Sequence, residues 1–197
     1  ENFERVLAAG AELEQFREMY NFITVWHQAK DEYTFKKHDV LSARGLQGDL
    51  QRALEWKELL GKQMRISREI GIFHMDTRAL RDRLKPLVDS VVEDMKQHLV
   101  DVAGKFTTDA LVEAQRTVKA LKDKPRTVTD FAELMAVVKQ DRSDLLIKVD
   151  CCDQLYGTLQ ETGVKMSTDD SLKHDELHDS MQQMQDAAAM ALREVDS

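Results

Sequence analysis

The sequence is short of nearly everything that breaks a helix. Its 197 residues include 2 prolines and 8 glycines, and aromatic residues make up 6%. A β-rich fold needs frequent turns built on such residues, so this composition excludes one. Cysteine is scarce too: the 2 present, Cys151 and Cys152, are neighbours. Adjacent helical residues point about 100° apart, so the pair cannot staple two elements, and both read as reduced, structural thiols beside a helix seam. Positive charge is in deficit, with 28 Lys and Arg against 36 Asp and Glu and a formal net charge of −8. Residues 167–197 carry eight acidic and two basic residues, so most of the excess acid is at this end. A nucleic-acid partner would want the opposite sign, and an acidic, solvated helix face is the simpler reading. No apolar run approaches the ~18 residues of a membrane span, and no signal-peptide pattern is visible. The phosphate-cradling loops GxxxxGK[ST] and GxGxxG are missing as well.

What remains is helix. Charged residues make up 32% and apolar residues 42% of the chain, a mix suited to long helices that each bury one stripe. The first run covers about residues 2–43, with Phe3, Val6, Leu7, Leu13, Phe16, Tyr20, Ile23 and His27 at helical spacing. The segment ARGLQGD (43–49) holds Gly45 and Gly48 and ends in a good N-cap, Asp49, which predicts a break there. A second helix over about 49–69 carries Leu50, Leu54, Trp56, Leu60 and Met64, and Gly71 suits its C-terminal cap.

Between helices lies a greasy stretch, GIFHMDT (71–77), with no helical repeat. It is expected to turn the chain and plug a helix seam, with Asp76 or Thr77 capping the next helix and Phe73 and Met75 folded back like a hydrophobic staple. The third run is the longest. Leu80, Leu84, Leu87, Val91, Met95, Leu99, Val102, Phe106, Ala110, Ala114, Val118 and Leu121 step by threes and fours from about 78 to 122, roughly 65 Å of helix. Pro86 should kink its first turns, and Gly104 weakens it modestly. KDKPRTVTD (122–130) breaks the pattern again, and Asp130 with Glu133 fits a capping box. The fourth helix, about 130–161, carries Phe131, Leu134, Val138, Leu145, Val149, Cys152, Tyr156 and Leu159, and Gly163 ends it. The fifth, about 170–195, shows Leu177, Met181, Met184, Ala188, Ala191 and Val195 on one seam. The expected fold is therefore all-α: an elongated bundle of about five long antiparallel helices with short loops, with residues 1–70 as a helical hairpin and 71–197 as a long-helix bundle. Because ENFERV begins in helical pattern and without Met, the chain is expected to be a piece of something longer.

Chemistry has few footholds. HDELH (174–178) puts His174 and His178 at i and i+4, where both imidazoles could face one metal. A zinc peptidase needs Glu directly after the first His; here Asp175 stands there, Glu176 points elsewhere, and no third ligand follows downstream. Met181, Met184 and Met190 would make either an adaptable binding face or a core stripe. Arg65, Arg68, Arg78, Arg81 and Arg83 flank the greasy stretch and read as solvated charges or weak ion pairs rather than an acidic-partner site. No catalytic, cofactor-binding or metal site is assigned from these patterns.

At GIFHMDTRALRDRLKPLVDSVVEDMKQHLVDVAGKF, followed by LKDKPRTVTDFAELMAVV, the chain resembles the tail of axonemal dynein heavy chains. Those tails carry an apolar stretch with F-x-x-D, a long helix, then a P-x-T-x-x-x-[FL]-x-x-L turn into the next helix. The matching residues are Phe73, Asp76, Leu80, Leu84, Pro125, Thr127, Phe131 and Leu134, within about residues 70–160. Pro86 departs from the pattern. The resemblance implies a non-catalytic tail segment of a ciliary or flagellar motor, in the cytoplasm on the axonemal cytoskeleton. It would link the motor to a doublet microtubule or its docking proteins, and meet other heavy chains and the intermediate and light chains, with no nucleic acid and no membrane. ATP and Mg²⁺ would act in the parent chain's AAA+ ring, and this segment would need no cofactor. Two rivals stand beside it: a spectrin-like scaffold or tether unrelated to motors, and an enzyme with a helical metal site on His174 and His178.

Overall fold

A computed structural model of the chain describes residues 2–35, 40–63, 67–70, 73–122 and 128–195. The fold is all-α. Its helices are α1 (Asn2–Phe35), α2 (Val40–Glu58), α3 (Arg78–Lys122), α4 (Val128–Glu161) and α5 (Thr168–Val195). One π-helical turn, Leu59–Gln63, extends α2, and a two-stranded hairpin, β1 (Ser67–Ile70) and β2 (Phe73–Asp76), precedes α3. The chain divides into two compact units, residues 1–37 with 45–98, and residues 38–44 with 99–197.

The break expected at 43–49 is not there. Helix α2 runs through Gly45, Gly48 and Asp49; residues 36–39, between α1 and α2, lie outside the described residues. Each interior glycine costs about 1 kcal/mol of helix. Against that, Ala43, Leu46, Leu50 and Ala53 are all almost fully buried on one stripe, and burial of that size outweighs two weak helix formers. Neither glycine has positive φ, and a Cβ at either would meet nothing within 4 Å.

The second correction concerns 64–77. Helix two was expected to reach residue 69, but the α-helical part ends at Glu58, and Ser67–Ile70 pairs antiparallel with Phe73–Asp76 in the register Ser67↔Asp76 and Ile70↔Phe73. Two residues separate the strands; they, and with them the expected cap at Gly71, lie outside the described residues. Strand β2 alternates as a strand should, with His74 and Asp76 exposed and Met75 half-buried between them. A two-stranded hairpin alone is marginal in water, and β1 lies against α1. The capping role does hold: the Arg78 backbone N–H donates to Asp76 Oδ1 (2.9 Å), and the Arg81 N–H donates to the Thr77 carbonyl (2.9 Å).

In the first unit, Phe22 of α1 meets Trp56 of α2 edge-on at 5.0 Å, Trp26 meets His98 of α3 at 5.7 Å, and Lys57 pairs with Asp89 at 3.1 Å. The stripe expected on α1 is largely the wrong face. Phe3, Val6, Leu7, Leu13 and Tyr20 are exposed, while Ala9, Phe16, Met19, Ile23 and Trp26 are buried. This helix has apolar side chains all round, so spacing alone does not select a face; packing against α2 and α3 does.

In the second unit, α4 runs back along α3: Thr107 faces Cys152, and Lys148 pairs with Glu113. Helix α4 starts at Val128, so Asp130 lies inside its first turn and is not the cap. Its other end is as expected. Gly163 has φ +73°, its N–H donates to the Gln160 carbonyl (3.1 Å), and the Val164 N–H donates to the Leu159 carbonyl (2.9 Å), the Schellman arrangement. Ser167 then caps α5, its Oγ accepting the Asp170 N–H (3.1 Å) and donating to Asp170 Oδ2 (2.6 Å). Gly104 on α3 sits beside this cap; a Cβ there would lie 3.1 Å from Asp170 Oδ1, so glycine admits the approach. Most of the expected α3 stripe is buried, with Leu80 and Leu87 the exposed exceptions. The sharp turn after α4 lays α5 back against α4.

Because α2 is continuous, Gly48→Ala is expected to stabilise the chain by about 0.5–1 kcal/mol in urea unfolding. A loss of stability would mean that a true turn occupies this position.

Candidate metal centre

Helices α4 and α5 leave the Gly163 turn as a hairpin, so residues similarly distant from the turn face one another. Tyr156 meets the start of α5: its hydroxyl donates to the Asp170 carbonyl at 3.0 Å. One turn earlier on α4, Asp153 projects toward the next turn of α5. There its Oδ1 lies 2.8 Å from His174 Nε2 and 2.9 Å from His178 Nε2. One ligand atom from each of Asp153, His174 and His178 falls within 4.8 Å of the others.

The rings are well located. His174 stacks on Tyr156, with centroids 4.1 Å apart and planes 15° off parallel. His178 packs edge-on against His174 at 4.9 Å and 89°. Beneath them Leu177 and Met184 are fully buried and Met181 nearly so, which fixes the rotation of α5 and keeps the histidines at the helix margin. The side chain of His174 is 19% exposed, that of His178 47% and that of Asp153 46%, so the cluster opens to solvent. Burial raises the pKa of the Tyr156 phenol, which stays a neutral hydroxyl donor to Asp170.

The sequence placed the two histidines correctly but looked for a third ligand on the wrong side. Asp153 lies upstream, on a different helix. An aspartate about as far before Gly163 as the histidines lie after it was the available signal, once a hairpin is assumed. The other residues singled out have structural places. Met181 and Met184 are core, whereas Met190 is exposed. Arg78 and Arg83 are exposed, Arg81 reaches the Gly61 carbonyl at 3.4 Å, and the side chains of Arg65 and Arg68 lie outside the described residues. An open groove of about 520 Å³ beside Gly104 and Asp170 has walls of mixed charge, including Asp101, Lys105, Asp109 and Lys173. Lys173 itself is held by Asp169, whose hydrogen bond raises its pKa.

Cys151 and Cys152 are both buried free thiols, as expected. Burial pushes the Cys152 thiol up to about 11, although the Thr107 hydroxyl donating to its Sγ at 3.6 Å works the other way. Burial likewise raises Cys151. Reactive cysteines need the opposite shift, so these two serve packing.

Compared with known protein families and with curated proteins, the chain matches none.

The Cys152 shift carries a pH signature. A thiol whose pKa is raised on folding contributes stability that is fully present below pH 9.0, the unfolded value, and is lost as pH rises toward about 11. The stability difference between wild type and Cys152→Ala should therefore narrow across that window by on the order of 2 kcal/mol in urea titrations. A constant difference would contradict the buried neutral thiol.

Proposed function

We propose that the chain is a non-catalytic stretch of the tail of an axonemal dynein heavy chain. In this reading it is a helical scaffold that joins a motor to its doublet microtubule and meets intermediate chains, light chains or a neighbouring heavy chain. The observation that carries the reading is α3 and its entry: 45 residues of unbroken helix, about 68 Å, launched from an F-x-x-D stretch whose aspartate caps it. Of the other residues behind the resemblance, Leu84 is buried, Leu80 is exposed, and Phe131 is half-buried on α4. Pro125 and Thr127 lie outside the described residues, as does the side chain of Leu134.

Long helices with interdigitated Leu, Val and Met suit a part that carries load, because many small contacts must fail together before one element slides past another. ATP and Mg²⁺ belong, in this reading, to the ring of the parent motor.

An antibody raised against these 197 residues should label axonemes along their length and follow the heavy chains when the arms are extracted with salt. Staining confined to the cell body or cortex, with no antigen in isolated axonemes, would overturn the assignment and favour a cytoskeletal tether of another kind.

A further inference from the structure

We propose that Asp153, His174 and His178 form a binding site for one divalent first-row transition cation, zinc in the first instance, which clasps α4 to α5. The proposal is independent of the tail assignment, since it rests on side-chain geometry within one helical hairpin.

Three observations carry it. The ligand set is right in kind: two imidazole nitrogens and a carboxylate oxygen suit zinc and its neighbours, whereas calcium and magnesium prefer all-oxygen cages. The placement is right too. His174 and His178 sit one turn apart on α5, and Asp153 arrives from α4, so a single ion would bridge two elements joined otherwise by packing and the Tyr156–Asp170 hydrogen bond. Finally, the ligands are already convergent. Both Nε2 atoms lie within 2.9 Å of the same carboxylate oxygen, and the His174 ring is held by Tyr156 on one face and His178 at its edge.

The ligand atoms, none more than 4.8 Å from another, need small side-chain adjustments to admit an ion. Tetrahedral zinc with ligands at about 2.0–2.1 Å sets neighbouring ligand atoms about 3.3 Å apart. The observed 2.8 and 2.9 Å separations are those of direct hydrogen bonds and must widen by about half an ångström. Asp153 and His178, each nearly half-exposed, accommodate that by small χ rotations. Each imidazole would keep its proton on Nδ1 and offer the Nε2 lone pair, so entry of the metal needs a tautomer change rather than backbone movement. Three protein ligands leave the fourth position to water at the solvent-facing side.

The test uses the purified chain, stripped with chelator, and ZnCl₂ alone as the probe. Calorimetry should show one zinc per chain with a dissociation constant in the micromolar range or tighter, and Co²⁺ should give the intense visible bands of tetrahedral coordination. Saturating zinc should raise the melting temperature by about 5 °C or more. His178→Gln and Asp153→Asn should each weaken binding by about 100-fold and remove the thermal shift. His27→Ala, on α1, should change nothing. His178 is an exposed side chain, so its substitution leaves the core intact, and circular dichroism of the variant verifies this. Absence of one-to-one binding in the wild type overturns the site, as does full binding by folded His178→Gln. Binding that survives in Asp153→Asn with its thermal shift intact overturns the clasp. None of these results bears on whether the protein resides in axonemes.

Discussion

Which side of each helix is buried decides everything else about this protein. All five helices carry enough apolar side chains to pack, and a rotation of a helix by half a turn would exchange its core for its surface. In α3 the choice is strongly determined: Val91, Met95, Leu99, Phe106, Ala110 and Ala114 form one seam, every member almost inaccessible to solvent. Within the second unit, its Leu99, Phe106, Ala110 and Ala114 set the rotation of α4 and α5. Helix α4 presents Leu145, Cys152, Leu155 and Leu159, and α5 presents Leu177, Met181 and Met184. With α5 so rotated, His174 and His178 come to the margin of the hairpin, where Asp153 reaches them. The candidate metal centre is thus a consequence of core packing, as a cluster on two separate helices must be.

Much of this was legible in the sequence, and the parts that were not share a cause. Helices α3, α4 and α5 could be read because their stripes are narrow and long, and Gly163 because a glycine after a finished stripe is a strong stop signal. Gly45 and Gly48 misled because local propensity argued for a break, whereas the buried stripe that holds α2 together is a tertiary fact. The hairpin was invisible for a related reason. SREI has no pattern of its own, and it becomes a strand through pairing with FHMD. On α1 the apolar residues surround the helix, so several stripes fit equally well and only a partner can choose among them.

The site followed the same rule. Two histidines at i and i+4 are a local pattern and were found; the aspartate that completes the cluster is non-local and was not. The adjacent cysteines, another local pattern, turned out to be what their surroundings suggested: small, buried, neutral side chains, Cys152 facing Thr107 in the α3–α4 seam. A scaffold reading and a metal clasp are compatible physically, since a cation bridging α4 and α5 would stiffen a hairpin whose proposed task is to carry force.

Neighbouring residues on α1 give the most direct test of the central claim, because they differ in burial and hardly at all in sequence position. Met19 is fully buried and Tyr20 is 58% exposed, although both fit helical stripes. Chemical denaturation of Met19→Ala and Tyr20→Ala should separate them clearly, with a loss of about 2–5 kcal/mol for the first and under about 1 kcal/mol for the second. Equal losses, or a larger one at Tyr20, would show that α1 buries a different face and that the packing described here is not the one the protein adopts.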